Sequence, residues 1–427
     1  MSGIQVASLL LVIAALISYL NERFLKLPGT IGHFLLGIVF SLFIIFCESI
    51  QILPFHTTLR ELIDSVNFGE VLIGGMLSML LFAGGLHIPL HLLKENRRTI
   101  FGLAVISTLL NTFIVGTGLW FLLNLINFGI TFPQALVFGA LISPTDPLTA
   151  MAVLTRIGLP KRLETLFLGE SLFNDGIGLV LFTVLAGLAF GKHQASLGSG
   201  VELFLVEVGG GILMGLILAG IMHYLVGTSR DLYTHTLITV ATVVGGYALS
   251  LALHISGPIA MVALGSLAGN YTFQTSITRS ERHDTHVFWT LIDDILNAVL
   301  FVLIGLQLVR IPFNAESMIA GAIAIFVVLV SRSVSVLGAL NALFIEKPCS
   351  CPQFNIAGLL TWGGLRGGLS IAMAFSLPQA AAVKPLILDM TFFVVTFSIL
   401  VQGFTIGKVY SREKLEKMAG ELAEVEK

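Results

Sequence analysis

Five ionisable residues lie where ionisable residues are expensive. Asp146, Glu170, Asp175, Arg332 and Arg366 each fall deep inside a long apolar run. A charge at the centre of a membrane span costs roughly 2.5–3.5 kcal/mol on insertion scales. Three negative charges against two positive ones leave one carboxylate without a fixed partner, which is what a cation site requires. The run Gly169-Glu170-Ser171-Leu172-Phe173-Asn174-Asp175-Gly176 puts Ser171 and Asp175 four apart on one helix face, with Glu170 and Asn174 on the adjacent face. The first face offers a hydroxyl and a carboxylate to the segment Ser143-Pro144-Thr145-Asp146-Pro147. The second can pair Glu170 with an arginine from the later half of the chain. Asp146, Asp175, Ser171 and the backbone carbonyls freed around Thr145 are hard oxygen ligands, suited to Na⁺ or Li⁺ rather than to a transition metal.

The elements that must position these groups are set by lipid. Of 427 residues, 56% are hydrophobic and 11% charged, less than half the roughly 25% charge of a soluble domain. That excludes a soluble globule, a disordered chain and a nucleic-acid binder, and the net charge of −2 implies no global electrostatic partner. Cys47, Cys349 and Cys351 form no disulfide framework, and no Cys or His near the Cys349-Ser350-Cys351 run completes a metal site. The apolar start lacks a basic stretch and a cleavage pattern, so it reads as a retained first span.

Apolar runs approaching the ~20 residues that cross a bilayer predict thirteen spans, at about 4–20, 30–47, 68–88, 98–125, 133–155, 163–190, 200–227, 233–254, 257–271, 285–309, 315–345, 355–378 and 386–409. Residues 410–427 read as a short solvated tail. Of the 23 Lys and Arg residues, seventeen fall in one set of alternate loops plus the tail and four in the other, with Arg332 and Arg366 inside spans. That asymmetry places the N-terminus outside and the C-terminus in the cytoplasm.

Two spans are badly made as helices. Two prolines bracket Asp146 in the fifth, and in the twelfth Trp362-Gly363-Gly364-Leu365-Arg366-Gly367-Gly368 sets four glycines around an arginine. With the seventh span as a linker helix (about 200–227), the rest divides into two six-span repeats of opposite orientation, about 4–190 and 233–409. Each broken span is then the fifth of its repeat. Interruptions in matching positions of an inverted repeat mark the binding site of a secondary transporter, and unwound backbone at that depth needs protein or water around it. The expected fold is an all-α polytopic membrane protein of about 13 transmembrane helices. Its function follows from desolvation. A carboxylate in a confined, low-dielectric site holds a proton more tightly than in water, so proton and cation compete for Asp175 and alternating access of the site is antiport.

The runs GESLFNDG, TDP, LPGTIG, NAVLFVLIGL and GGLRGG, in their order and spacing, resemble the monovalent cation:proton antiporters, in the branch that holds bacterial NhaP and the eukaryotic Na⁺/H⁺ exchangers. The resemblance spans essentially the whole membrane region. It implies a homodimer in the cell (inner) membrane, crossed unwound helices in a mobile core of spans 4–6 and 11–13, and no cofactor beyond the transported ions. It further implies that Asp175 binds ion and proton beside Asn174, an Asn-Asp pair associated with electroneutral exchange, and that Asp146, the Thr145 carbonyl and Ser171 complete the Na⁺ ligands. Glu170 should pair with Arg332, and Arg366 should face the broken helix ends. One departure is Ala83, where many NhaP proteins carry a glutamate.

Other readings set against Na⁺(Li⁺)/H⁺ exchange are K⁺/H⁺ antiport on the same fold and, from a different class, an intramembrane aspartyl protease with Asp146 and Asp175 as its acid/base pair. The protease gives no role to Glu170, to the two arginines or to the second broken span. Asp293 and Asp294, about two turns inside the tenth span, read as solvated near the membrane surface rather than as a funnel for cations.

Overall fold

The computed structural model describes residues 3–49, 75–191, 197–310, 314–343 and 351–425. Within them the chain is helical, the only bridge between extended segments being one isolated contact described below. Lipid cannot hydrogen-bond a bare peptide group, so each crossing segment must satisfy its own backbone. The helices in chain order are α1 (Gly3–Leu20), α2 (Gly29–Ser49), α3 (Leu77–Leu86), α4 (Arg97–Leu125), α5 (Phe132–Ile142), α6 (Pro147–Ile157), α7 (Lys161–Phe190), α8 (Leu197–Thr228), α9 (Leu232–Ala252), α10 (Gly257–Leu267), α11 (Arg279–Leu306), α12 (Ala315–Leu343), α13 (Cys351–Gly363), α14 (Gly368–Ser376), α15 (Lys384–Val409) and α16 (Arg412–Val425).

Among the described residues nine helices are long and apolar enough to cross a membrane, against thirteen spans expected. The difference of four has three sources, the first being that the helix at the ninth expected span, Gly257–Leu267, is only 11 residues long. Each broken span divides into half-helices of 9–13 residues, too short to cross singly. The predicted third span begins at 68, and 68–74 lie outside the described residues, as do Arg60, Lys192, Lys347, Cys349 and Lys427.

Sequence signals fix several helix starts. Thr131 and Gln134 form a capping box at α5, with Pro133 in its first turn, and Thr278 and Glu281 form another at α11. Asp231 caps α9, accepting from the Thr234 amide at 3.0 Å and the Thr234 hydroxyl at 3.1 Å. Those two donors hold its carboxyl below the usual carboxylate range. Large apolar side chains stay exposed on α1, α8 and α9, among them Leu16, Leu205, Leu213 and Leu237, as expected where lipid replaces water.

Packing gathers the broken helices into one cluster. α4 lies against α5 and α12, α7 against α5, and α12 against α13 and α15. On the other side α3 packs on α10, α2 on α11, and α8 on α9 and α10. The α3–α10 contact depends on small residues: a Cβ at Gly85 would meet backbone of Val262 and Ser266 at 3.0 Å, and one at Gly265 would strike the Phe82 carbonyl.

Candidate functional site

The two unwound segments meet. α5 ends at Ile142 and α6 begins at Pro147, while α13 ends at Gly363 and α14 begins at Gly368. Proline cannot donate a backbone hydrogen bond, and the glycines cost helix stability, so neither span closes its ladder through its centre. The freed groups pair across the gap instead. The Asp146 amide donates to the Leu365 carbonyl at 2.7 Å, an isolated antiparallel bridge. Arg366, 2% exposed, donates through Nη1 to the carbonyls of Ser143 at 2.7 Å and Pro144 at 3.0 Å. Those carbonyls belong to the C-terminal end of α5, where a cation also meets the partial negative charge of the helix dipole. The Arg366 amide donates to Ser398 Oγ at 2.9 Å, and Ser398 donates to Gln402 at 2.7 Å, tying the second break to α15.

Beside the crossing, α7 presents Ser171, Asn174 and Asp175. Asn174 holds Thr145 at two points: its Oδ1 accepts from the Thr145 amide at 3.2 Å and its Nδ2 donates to the Thr145 hydroxyl at 2.8 Å. Ser171 donates to the Thr145 carbonyl, and its hydroxyl lies 3.1 Å from that of Thr145. Thr145, Asp146 and Asp175 line a cavity of about 120 Å³, whose wall opposite includes Gly367. A Cβ at Gly367 would lie 2.6 Å from the Asp146 Cβ and 2.8 Å from its Oδ2, so the absence of a side chain there leaves Asp146 its position.

Away from the cavity, Arg332 Nη2 and a Glu170 carboxylate oxygen form an ion pair at 2.6 Å with both side chains buried. Arg332 also reaches the Leu360 carbonyl at 3.3 Å and Ser107 Oγ at 3.4 Å, so the pair joins α7, α12, α13 and α4. A second buried polar chain runs from Ser331 Oγ to Asn111 Oδ1 (2.8 Å), and from Asn111 Nδ2 to Ser143 Oγ (2.9 Å), fastening α12 and α4 to the first break.

Five deep charged residues were expected, and the structure encloses more. Asp293 lines the same cavity as Asp146 and Asp175 and accepts from Asn297 Nδ2 at 3.1 Å, whereas Asp294 is exposed. Solvation near the membrane surface therefore describes Asp294 and not Asp293. The available signal was the i,i+4 spacing of Asp293 and Asn297 on a helix whose other face is apolar. Lys384 and Asp389 are also buried, at 6% and 8% exposure, although Lys384 reads as a loop residue in the sequence. Ala83 is fully buried, and the lining of the cavity from α3 comes from neighbours including Leu81 and Gly84.

Taken together, three carboxylates (Asp146, Asp175 and Asp293) and Thr145 line a small cavity, with the Ser171 hydroxyl bonded to Thr145, all oxygen donors. Such a set binds a hard cation, and its carboxylates also bind protons.

Known proteins share this arrangement of the chain. A family model described as the transmembrane sodium/hydrogen exchanger matches residues 11–411. The Na⁺/H⁺ antiporter NhaP of Pseudomonas aeruginosa is 37% identical over 414 residues, covering 96% of this chain and 97% of that one. The Na⁺/H⁺ antiporter NhaH of Halobacillus dabanensis is 33% identical over 407 residues, covering 94% and 96%. Among solved structures, the sodium proton antiporter MjNhaP1 of Methanocaldococcus jannaschii at pH 8 superposes with a TM-score of 0.74 over 97% of both chains at 22% identity.

Proposed function

Given that the chain belongs to the transmembrane sodium/hydrogen exchanger family, we propose that it exchanges Na⁺ or Li⁺ for protons by letting the two compete for Asp175. It is a multi-pass membrane transporter and not an enzyme, which removes the aspartyl protease alternative. The observation that carries the mechanism is the convergence of Thr145, Asp146 and Asp175 on one cavity at the crossing of two broken helices, with Ser171 bonded to Thr145 beside it.

The chemistry runs as follows. Asp175 supplies the exchangeable charge, while Asp146, the Thr145 carbonyl and Ser171 complete the oxygen ligands. Asn174 is a positioning residue that fixes Thr145. A proton and a monovalent cation each neutralise the site to the same extent, so the loaded site changes sides in either state. One cation then moves against one proton with no net charge transfer. Arg366 neutralises the freed carbonyls of the first break, and Glu170 with Arg332 is a structural ion pair.

Two inverted repeats (about 4–190 and 233–409) joined by a linker helix (about 200–227) fit the placement of the breaks, and spans 4–6 with 11–13 form the moving core. The packing of α4, α5, α7, α12, α13 and α15 on one another supports that division. The seventeen-to-four asymmetry of Lys and Arg supports an inner-membrane protein with its N-terminus outside and its C-terminus, Lys427, in the cytoplasm. The exposed apolar side chains of α1 and α8 suit a homodimer interface or lipid.

Collapse of a preformed ΔpH by added Na⁺ in membrane vesicles tests the reading. Comparison of Na⁺, Li⁺ and K⁺ separates it from K⁺/H⁺ antiport, because the same oxygen donors accept all three. A wild-type protein that leaves ΔpH unchanged with every cation overturns exchange altogether.

A further inference from the structure

A second cavity lies against α14, about 510 Å³ compared with about 120 Å³ for the first. α14 lines the smaller cavity through Gly368, Leu369, Ser370 and Ala372 and the larger through Ile371 and Phe375. The two cavities thus share one half-helix. The larger cavity receives Gln307 from the end of α11 and Lys384 and Asp389 from the start of α15.

These polar groups differ in what they have left to offer. The Lys384 ammonium donates to the carbonyls of Phe375 at 2.8 Å and Leu377 at 2.5 Å. It thereby caps the C-terminal end of α14, where cations are favoured. Asp389 accepts from Ser317 Oγ at 2.6 Å through Oδ2. Gln307 is 3% exposed, and neither atom of its amide has a hydrogen-bond partner among the described residues. Buried amides are ordinarily paired, so an amide left unpaired on a cavity that Asp389 also lines marks a place for a ligand. Lys384 is turned onto the helix end, the Gln307 amide offers both a donor and an acceptor, and the Asp389 carboxylate favours a cation over an anion.

We propose that this chamber is a second cation site, in which Asp389 and the Gln307 amide oxygen hold a monovalent cation beside the loop between α14 and α15, which belongs to the Lys/Arg-poor set and so to the outer side in the proposed orientation. The chamber receives the ion before the crossing, whose oxygen ligands then hold it. This inference rests on the exchange reading above, and the test keeps the two apart.

Right-side-out and everted membrane vesicles carrying the full chain allow Na⁺ to be offered to either face while ΔpH is followed. Wild-type response at both faces establishes exchange, and its absence overturns exchange itself. With exchange established, Asp389→Asn and Gln307→Leu should each raise the KM for Na⁺ at the outer face about tenfold more than at the inner face. Asp389→Glu should recover part of the loss. KM values that stay at wild type, or that rise equally at both faces, overturn the chamber. Should Asp389→Asn fail to reach the membrane, Gln307→Leu decides alone, because the Gln307 amide has no hydrogen bond to lose.

Discussion

The backbone amide of Asp146 is hydrogen-bonded to the carbonyl of Leu365 at 2.7 Å, so the residue proposed to ligate the ion is held by the opposite broken helix. Arg366, next in the chain, grips the carbonyls of Ser143 and Pro144. Each break supplies what the other lacks: the first has spare carbonyls, the second a buried cation. Position and charge of the site are therefore set by both halves together.

Replacing Asp175 with Asn keeps the shape of the side chain and removes its charge. The Asp175→Asn protein should fold and insert normally yet show no Na⁺-dependent proton movement in vesicles. Retained exchange in that variant would exclude Asp175 as the shared site.

The ion pair of Glu170 and Arg332 is buried on both sides, and removing one partner of such a pair strands the other at a cost of about 3–5 kcal/mol. Glu170→Ala and Arg332→Ala should each lower the yield and the melting temperature of the purified protein. Removing both charges at once, with Glu170→Gln and Arg332→Met, should recover part of the loss. Wild-type melting of either single variant contradicts a structural role for the pair.

Gly367→Ala probes the position of Asp146 without straining the backbone, whose φ of −124° is open to any residue. The added methyl would fall 2.6 Å from the Asp146 Cβ, and displacing a positioned group by about 1 Å can cost about a hundredfold in rate. Exchange should fall by that order while melting stays near wild type. Unchanged exchange would show that Asp146 need not stay where it lies.

Competition fixes the direction of the pH response. A cation needs the deprotonated carboxylate, so acidification fills the site with protons and weakens cation binding. Below the pH at which the site is half protonated, the KM for Na⁺ should rise about tenfold per unit of falling pH, with the maximal rate little changed. A KM independent of pH across that range would require separate sites for proton and cation.

Much of this was legible because the residues involved are costly in lipid. A proline or a charge at mid-span has few explanations, so the two breaks and the residues from Thr145 to Asp175 stood out from the apolar background. The bridge between Asp146 and Leu365 was not legible, since a backbone hydrogen bond carries no signature in residue type. Asp293 was misread because sequence gives depth along a helix and not which neighbours close over it; the cavity turns it inward and leaves Asp294 exposed. Lys384 falls between the twelfth and thirteenth predicted spans and so reads as a loop residue, yet two carbonyls at the end of α14 draw it under cover. The π-helical turns Leu103–Ser107 in α4 and Ser398–Gln402 in α15 had no periodic signal, and the second holds the serine and glutamine that brace Arg366.

The contact between Arg366 and Ser143 spans 223 residues of chain, and this has a consequence for biosynthesis. The ribosome delivers Asp146, Glu170 and Asp175 to the membrane long before Arg332 and Arg366 exist. Until then the nascent first half holds carboxylates with no counter-charge and a half-helix whose carbonyls face nothing. That half must wait beside the insertion machinery or stay loosely seated until the second half arrives. A chain cut short before Arg332 is left as an unfinished, membrane-borne intermediate, chemically distinct from the complete protein and open to recognition by quality-control proteases.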